Sequence, residues 1–235
     1  MSDRAFAASR LQLALSAGLD HDLDRVVARD LPALAKQLGH WGHFARPVTV
    51  HVAADLAQLR AAAPLASVMD LRGLAIGDQV WLLHPQAWPD RPTDGQLGLL
   101  LAHELAHVLW FQRSTQTPRA MAYLPTWFRE GFAVVASEGR PAAAQRRQLA
   151  LLDIATLAYA DDRQMAELGT EVYQVAAHAF ASWHARCGRR GLGELWRQLR
   201  AGATFSRAFL DTCGVDDRAF VNSFAAEILS EGRQR

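Results

Sequence analysis

Two histidines and a glutamate stand inside an oily run, "LLAHELAHVLW" at residues 100–110. Ionisable side chains are costly to bury without partners, so His103, Glu104 and His107 call for a chemical reason. The stretch has no proline or glycine and reads as helix. A helix turns about 100° per residue, so His103 and His107, four apart, share a face about one turn from each other. Two imidazoles at that spacing can bind one metal ion without bending the backbone. Glu104, rotated to the side of that face, can reach a water on the metal without being a ligand itself. With nine histidines and eight glutamates in 235 residues, a chance H-E-x-x-H is expected about 0.01 times. The simpler alternative is a helix with two core or surface histidines and no metal.

A catalytic tetrahedral zinc takes a third protein ligand and leaves one position for water. A third histidine in the H-E-x-x-H-x-x-G-x-x-H arrangement is excluded, because the later positions hold Trp110 and Arg113. A carboxylate from a following helix is the other candidate. "LPTWFREGFAVVAS", 124–137, offers Glu130 among Trp127, Phe128, Phe132 and Val134. A carboxylate in that setting needs a partner, either a metal ion or an arginine such as Arg129.

With Glu130 in place, and 22 residues between it and His107, the sequence resembles the gluzincin metallopeptidases. Within them it is most similar to the aminopeptidase N, leukotriene hydrolase and glycyl aminopeptidase group, whose third ligand is the glutamate of a W-x-x-E-G-x-A motif. Trp127, Glu130, Gly131 and Ala133 match that motif. The resemblance implies a zincin (thermolysin-like) α+β catalytic domain holding one Zn2+ per chain on His103, His107 and Glu130, with Glu104 as catalytic base. In that group a tyrosine opens a helix that ends about fifteen residues later at a glycine, and it hydrogen-bonds the tetrahedral intermediate. Tyr173 and Gly188 stand at that spacing, which implies the same role for Tyr173. The strong resemblance covers about residues 97–190. The C-terminal pattern from "GELWRQL" onward is similar to small bacterial peptidase-like domains of this type.

Two positions depart from the group. "LRGLAIGDQVWLL", 71–83, occupies the place of a strand motif that grips a substrate's amino terminus, and it lacks the motif's glutamate. That favours an endopeptidase over an aminopeptidase. Val134, one turn after Glu130, offers no carboxylate to orient a metal-bound histidine.

The elements that must position these residues follow from pattern. "DLDRVVARDLPALAKQL", 22–38, has helical spacing. "PVTVHVA", 47–53, alternates and is β-branched, which reads as a strand. Residues 55–63 read as a short helix, and 74–84 as a hairpin or a turn feeding a strand, with Gly77-Asp78 at its centre. The resemblance to the gluzincins implies that the strand near 79–83 pairs with an extended substrate. "PQAWPDRPTDGQ", 85–96, is a proline-rich loop. Beyond it the pattern predicts helices at 96–113, 126–137, 141–160, 171–187, 191–201, 204–212 and 216–230, with stops at Gly139, Gly188 and Gly214. The whole is an α+β chain read as one domain: a helix and small sheet over 1–95, then the metal-binding helix and a helical part over 96–235.

Composition excludes several classes. Half the chain is apolar and the net charge is +1, so charge alone favours neither nucleic acid nor an anionic membrane. No apolar run approaches the ~20 residues that cross a bilayer. "MSDRAFAASRLQLALSAGLDHD" is interrupted by Arg10 and Gln12 and has no cleavage site of small residues. It is read as an amphipathic helix of a cytoplasmic protein. Cys187 and Cys213 make no disulfide framework and are read as buried thiols. His178 and His184 are assigned to packing, and His40 and His43 to no metal site.

The expected function is zinc-dependent hydrolysis of a peptide or protein substrate. The alternatives are a catalytically idle binding module of the same fold and a zinc hydrolase of non-peptide amides or esters.

Overall fold

In "PVTVHVA" the side chains at Val48 and Val50 are buried while Thr49 and His51 are partly exposed, the alternation of a strand with one face on a core. At the strand's end Ala53, on the other face, is buried as well. The computed structural model describes residues 4–8, 11–15, 21–62, 72–114 and 124–233. Within them the architecture is α+β, and the chain forms two compact units, residues 1–113 and 114–235. No helix among the described residues is long and apolar enough to cross a membrane.

The first unit holds a five-stranded mixed sheet of β1 (Arg4–Ala8), β2 (Leu11–Leu15), β3 (Val48–Ala53), β4 (Gly73–Ile76) and β5 (Gln79–Leu83). Their order is β1-β2-β3-β5-β4. The pairs β2–β3 and β3–β5 are parallel, whereas β1–β2 and β4–β5 are antiparallel. The expected hairpin forms, turning at Gly77-Asp78 with Gly77 at φ 60°, a left-handed conformation that glycine adopts without cost. Helices α1 (His21–Gly39), α2 (Leu56–Ala62) and α3 (Asp94–Ser114) complete the unit.

Within the N-terminal stretch read as an amphipathic helix, the described residues 4–8 and 11–15 are instead a pair of strands. β1 lies against β2, and Leu13–Leu15 pair with Val48–Val50. Alanine and leucine favour helix in isolation. The ladder offered by β3 outweighs that preference, because strand preference is set by packing context.

The second unit is helical: α4 (Thr126–Glu138), α5 (Ala143–Arg146), α6 (Ile154–Ala158), α7 (Asp162–Leu168), α8 (Thr170–Arg200), α9 (Phe205–Cys213) and α10 (Asp217–Arg233). α8 is kinked at Gly188, where φ is 62°, so it reads as the two helices expected on either side of that residue. The single helix expected over 141–160 does not form. A 3-10 turn spans Arg147–Leu151, Leu152 is extended, and the Asp153 side chain caps α6 by accepting from Thr156 N. α7 was not anticipated, although a capping box between Asp161 and Gln164 marks its start.

The core of this unit is aromatic. Trp127 and Phe128 of α4 meet Phe209 of α9, and Phe128 also meets Phe180 and Trp183 of α8. A Cβ on Gly131 would lie 2.2 Å from the Ala176 carbonyl oxygen and 2.6 Å from Phe180 Cβ. Only glycine permits so close a crossing of α4 and α8.

Candidate metal centre

α3 is buried on nearly every side, and Leu101, Leu105 and Leu109 are all in the core. A helix that is apolar all round is held by its surroundings, and both ends of α3 are also fixed by polar contacts. At its start, Thr93 N donates to Gln96 Oε1 at 2.8 Å while Gln96 N donates to Thr93 Oγ1 at 3.3 Å. This reciprocal arrangement satisfies two otherwise orphaned amides. At its end, buried Gln112 accepts from the backbone N–H groups of Ala45 and Arg46 at 2.6 and 3.0 Å. Its amide donates in turn to Arg46 O and to Asp78 Oδ1 at the hairpin turn. The helix is thereby clamped to the strand entry and to the hairpin.

Between these clamps stand His103 and His107, both partly buried. Their Nε2 atoms are 3.1 Å apart and their rings meet edge to face, with centroids 4.8 Å apart. Two imidazole nitrogens bound to one tetrahedral zinc at about 2.05 Å would be about 3.3 Å apart. The pair is therefore already set at metal-binding separation, both rings presenting Nε2.

Glu104 is only 5 % exposed. Its carboxylate lies against the first residue of β4: a Cβ on Gly73 would sit 3.1 Å from Glu104 Oε1. β4, last in the sheet order, is thus the strand that runs beside the glutamate. This corrects the expectation for residues 79–83. β5 lies between β3 and β4 and spends its backbone groups on both neighbours, so it has no free side for a substrate.

Glu130 is also 5 % exposed and sits in the second turn of α4. Arg129 Nε donates to Glu130 Oε1 at 2.8 Å, and the far end of the guanidinium reaches Met165 Sδ of α7 at 3.7 Å. The arginine partner that the sequence left open is present. The metal partner is not excluded by it, since a carboxylate has about four acceptor positions. One nitrogen of each histidine and one carboxylate oxygen of Glu130 lie within 4.8 Å of one another. Among the described residues this is the one His/Cys/Asp/Glu group with metal-ligating geometry.

Tyr173 lies in the first turn of α8, partly buried, on the helix that crosses α4 at Gly131. His178 and His184 lie further along α8, outside the metal-ligating group. Burial, then the positive field of Arg146, pushes His178 down to about 4, with Glu231 opposing. His184 stacks on Phe180 and is also pushed down, chiefly by burial. His40 and His43 join no such group. Gln112 and Gly73 were missed by sequence reasoning. Neither has a local signal, because both act on segments more than 30 residues away.

No family model matches the sequence, and no curated protein matches it. Among solved structures, the chain is similar to native yeast LTA4 hydrolase, with 11% identity and a TM-score of 0.47, over 97% of this chain and 38% of that one. It is similar also to yeast LTA4 hydrolase in complex with bestatin, with 14% identity and a TM-score of 0.47, over 98% of this chain and 38% of that one. The chain thus spans 38% of the length of either.

Proposed function

We propose that this chain is a zinc-dependent hydrolase of the gluzincin type, with a zincin fold, acting on peptide bonds of a peptide or protein substrate. The observation that carries the reading is the donor set: two imidazole nitrogens at 3.1 Å and a buried carboxylate oxygen, all within 4.8 Å. His2Glu is a donor set of catalytic zinc, with the fourth position left for water or substrate. His103, His107 and Glu130 would hold the ion. Zinc bound there supplies Lewis acidity, bringing a water's pKa toward about 7 and polarising a carbonyl.

The chain's own residues supply the rest. Glu104 takes the proton of the attacking water and returns it to the leaving amine. Tyr173 donates a hydrogen bond to the oxygen on which charge develops. β4 offers its backbone to an extended substrate, the mode by which peptides add to a sheet edge. Gly73 keeps that strand free of a side chain where it passes Glu104. With no glutamate in residues 71–83 to bind an amino terminus, cleavage within a chain is favoured over removal of the first residue.

One observation favours a second reading, a metal-free binding module: the ion pair of Arg129 with Glu130. Two variants separate the readings. Glu104→Gln is expected to retain zinc and to lose hydrolysis of a peptide library by about 10³-fold or more. Glu130→Ala is expected to lose zinc. If Glu104→Gln released the metal while Glu130→Ala kept it, the two carboxylates would have the opposite roles. If the wild-type protein took up no zinc and cleaved nothing in the library, the metal-free module would replace the enzyme.

A further inference from the structure

Cys187 and Cys213 each occupy the last turn of a helical run, and each is followed by a glycine in the left-handed region, Gly188 at φ 62° and Gly214 at φ 73°. The two chain reversals bring the thiols together, with sulfurs 2.6 Å apart. Gly191 keeps the approach open, since a Cβ there would lie 2.7 Å from Cys187 Cβ and 3.4 Å from Thr212 Cγ2. The Trp183 indole N–H donates to Cys213 Sγ at 2.9 Å and holds that sulfur toward its neighbour. Both side chains are half-buried, so a small reagent can reach them. Neither belongs to the metal-ligating group.

We propose that Cys187 and Cys213 are a reversible disulfide site, closed by thiol–disulfide exchange with a low-molecular-weight disulfide of the glutathione class. An S–S bond is about 2.05 Å, so closure asks for a sulfur movement of about half an ångström and no rearrangement of the helices. One of the two cysteines loses its proton to water, and its thiolate attacks one sulfur of the small disulfide. That S–S bond breaks and one small thiolate leaves. The other cysteine then gives up its proton to water and attacks the sulfur of the first, expelling the second small thiolate, and both small thiolates take up a proton from water. Two cysteine thiols are oxidised by two electrons and the reagent is reduced to two thiols. Burial pushes the Cys213 thiol up to about 12 against the opposing Trp183 hydrogen bond. The product ties the end of the first half of α8 to the end of α9, across 26 positions of sequence.

The test is non-reducing peptide mapping of the purified full chain after incubation with oxidised glutathione. The expected product joins the Cys187 and Cys213 peptides, retains no glutathione and is reopened by dithiothreitol. The linked form melts on the order of 5 °C above the reduced one. Cys213→Ser is expected to stop at glutathione on Cys187. Because that variant disturbs the Trp183 contact, Cys187→Ser provides a second reading, with no cross-link expected and the reaction stopping at glutathione on Cys213. The proposal is overturned if the wild-type chain keeps both thiols free, or carries glutathione on both cysteines without the cross-link.

Discussion

α3 and α4 each present ligands of the proposed metal centre, and they are held in place by different physics. α3 is fixed at both ends by directed hydrogen bonds, the Thr93–Gln96 box and the Gln112 clamp. α4 has no side-chain cap: its N-cap is Pro125. It is located by an aromatic core and by the crossing at Gly131. Hydrogen bonds fix a helix in register along its axis, whereas close packing fixes its separation from a neighbour. The difference teaches where each ligand is vulnerable. Glu130 should be lost through steric change, and the histidine pair should be loosened through lost polar contacts.

The largest effect is expected at Gly131. Gly131→Ala sets a methyl 2.2 Å from a backbone carbonyl oxygen, and no rotamer relieves a backbone clash. A loss of about 3 kcal/mol or more in denaturant unfolding is expected, as for severe overpacking. A loss below about 1 kcal/mol would show that packing at this crossing does not hold α4.

The second unit should also carry the acid sensitivity. His178 is 4 % exposed, and its Nε2 has no hydrogen-bond partner among the described residues. Arg146 of α5 disfavours its charge, while Glu231 of α10 favours it. It stays neutral in the fold down to about 4, whereas the unfolded chain takes up a proton near 6.5. The unfolded state therefore binds more protons between these values, and stability falls as pH falls from about 6.5 toward 4. The contribution is about 3 kcal/mol at the low end. His178→Leu is expected to flatten the pH dependence of Tm in that window. An unchanged slope would place the acid sensitivity elsewhere.

Gln112 sharpens the other side of the comparison. Gln112→Ala leaves the N–H groups of Ala45 and Arg46 without their acceptor, a cost of about 2 kcal/mol. Zinc affinity is expected to fall by about tenfold, as when a supporting contact near a metal site is removed. Stability lost with affinity unchanged would mean that the clamp serves the fold and not the histidines.

The parts of this molecule that could be read from sequence are those whose signals are local. α3, α4 and the two halves of α8 follow from apolar spacing, with glycine stops at Gly139 and Gly188. The hairpin follows from Gly77-Asp78. The histidine pair was legible because helical geometry alone sets four-residue neighbours on one face. Glu130 was legible as a carboxylate in an oily setting, though not which partner it takes. The parts that were not legible depend on distant segments. β1 and β2 carry helix-favouring residues and are strands only because β3 is there to pair with. β5 looked like an available strand because nothing local says that β3 and β4 flank it. The break in 141–160 hangs on Asp153, whose capping role competes with an otherwise continuous helical pattern. Gly73 and Gln112 act across 31 and 66 positions, beyond any spacing rule.

The central claim is that His103, His107 and Glu130 hold one zinc ion, and elemental analysis tests it most directly. Protein purified without added metal, and again after dialysis against a slight excess of zinc followed by removal of free ion, should contain about one equivalent of zinc per chain, as a single tetrahedral site requires. A value near zero that added zinc does not raise would contradict the claim, and would make Arg129 rather than a metal the partner of the buried carboxylate.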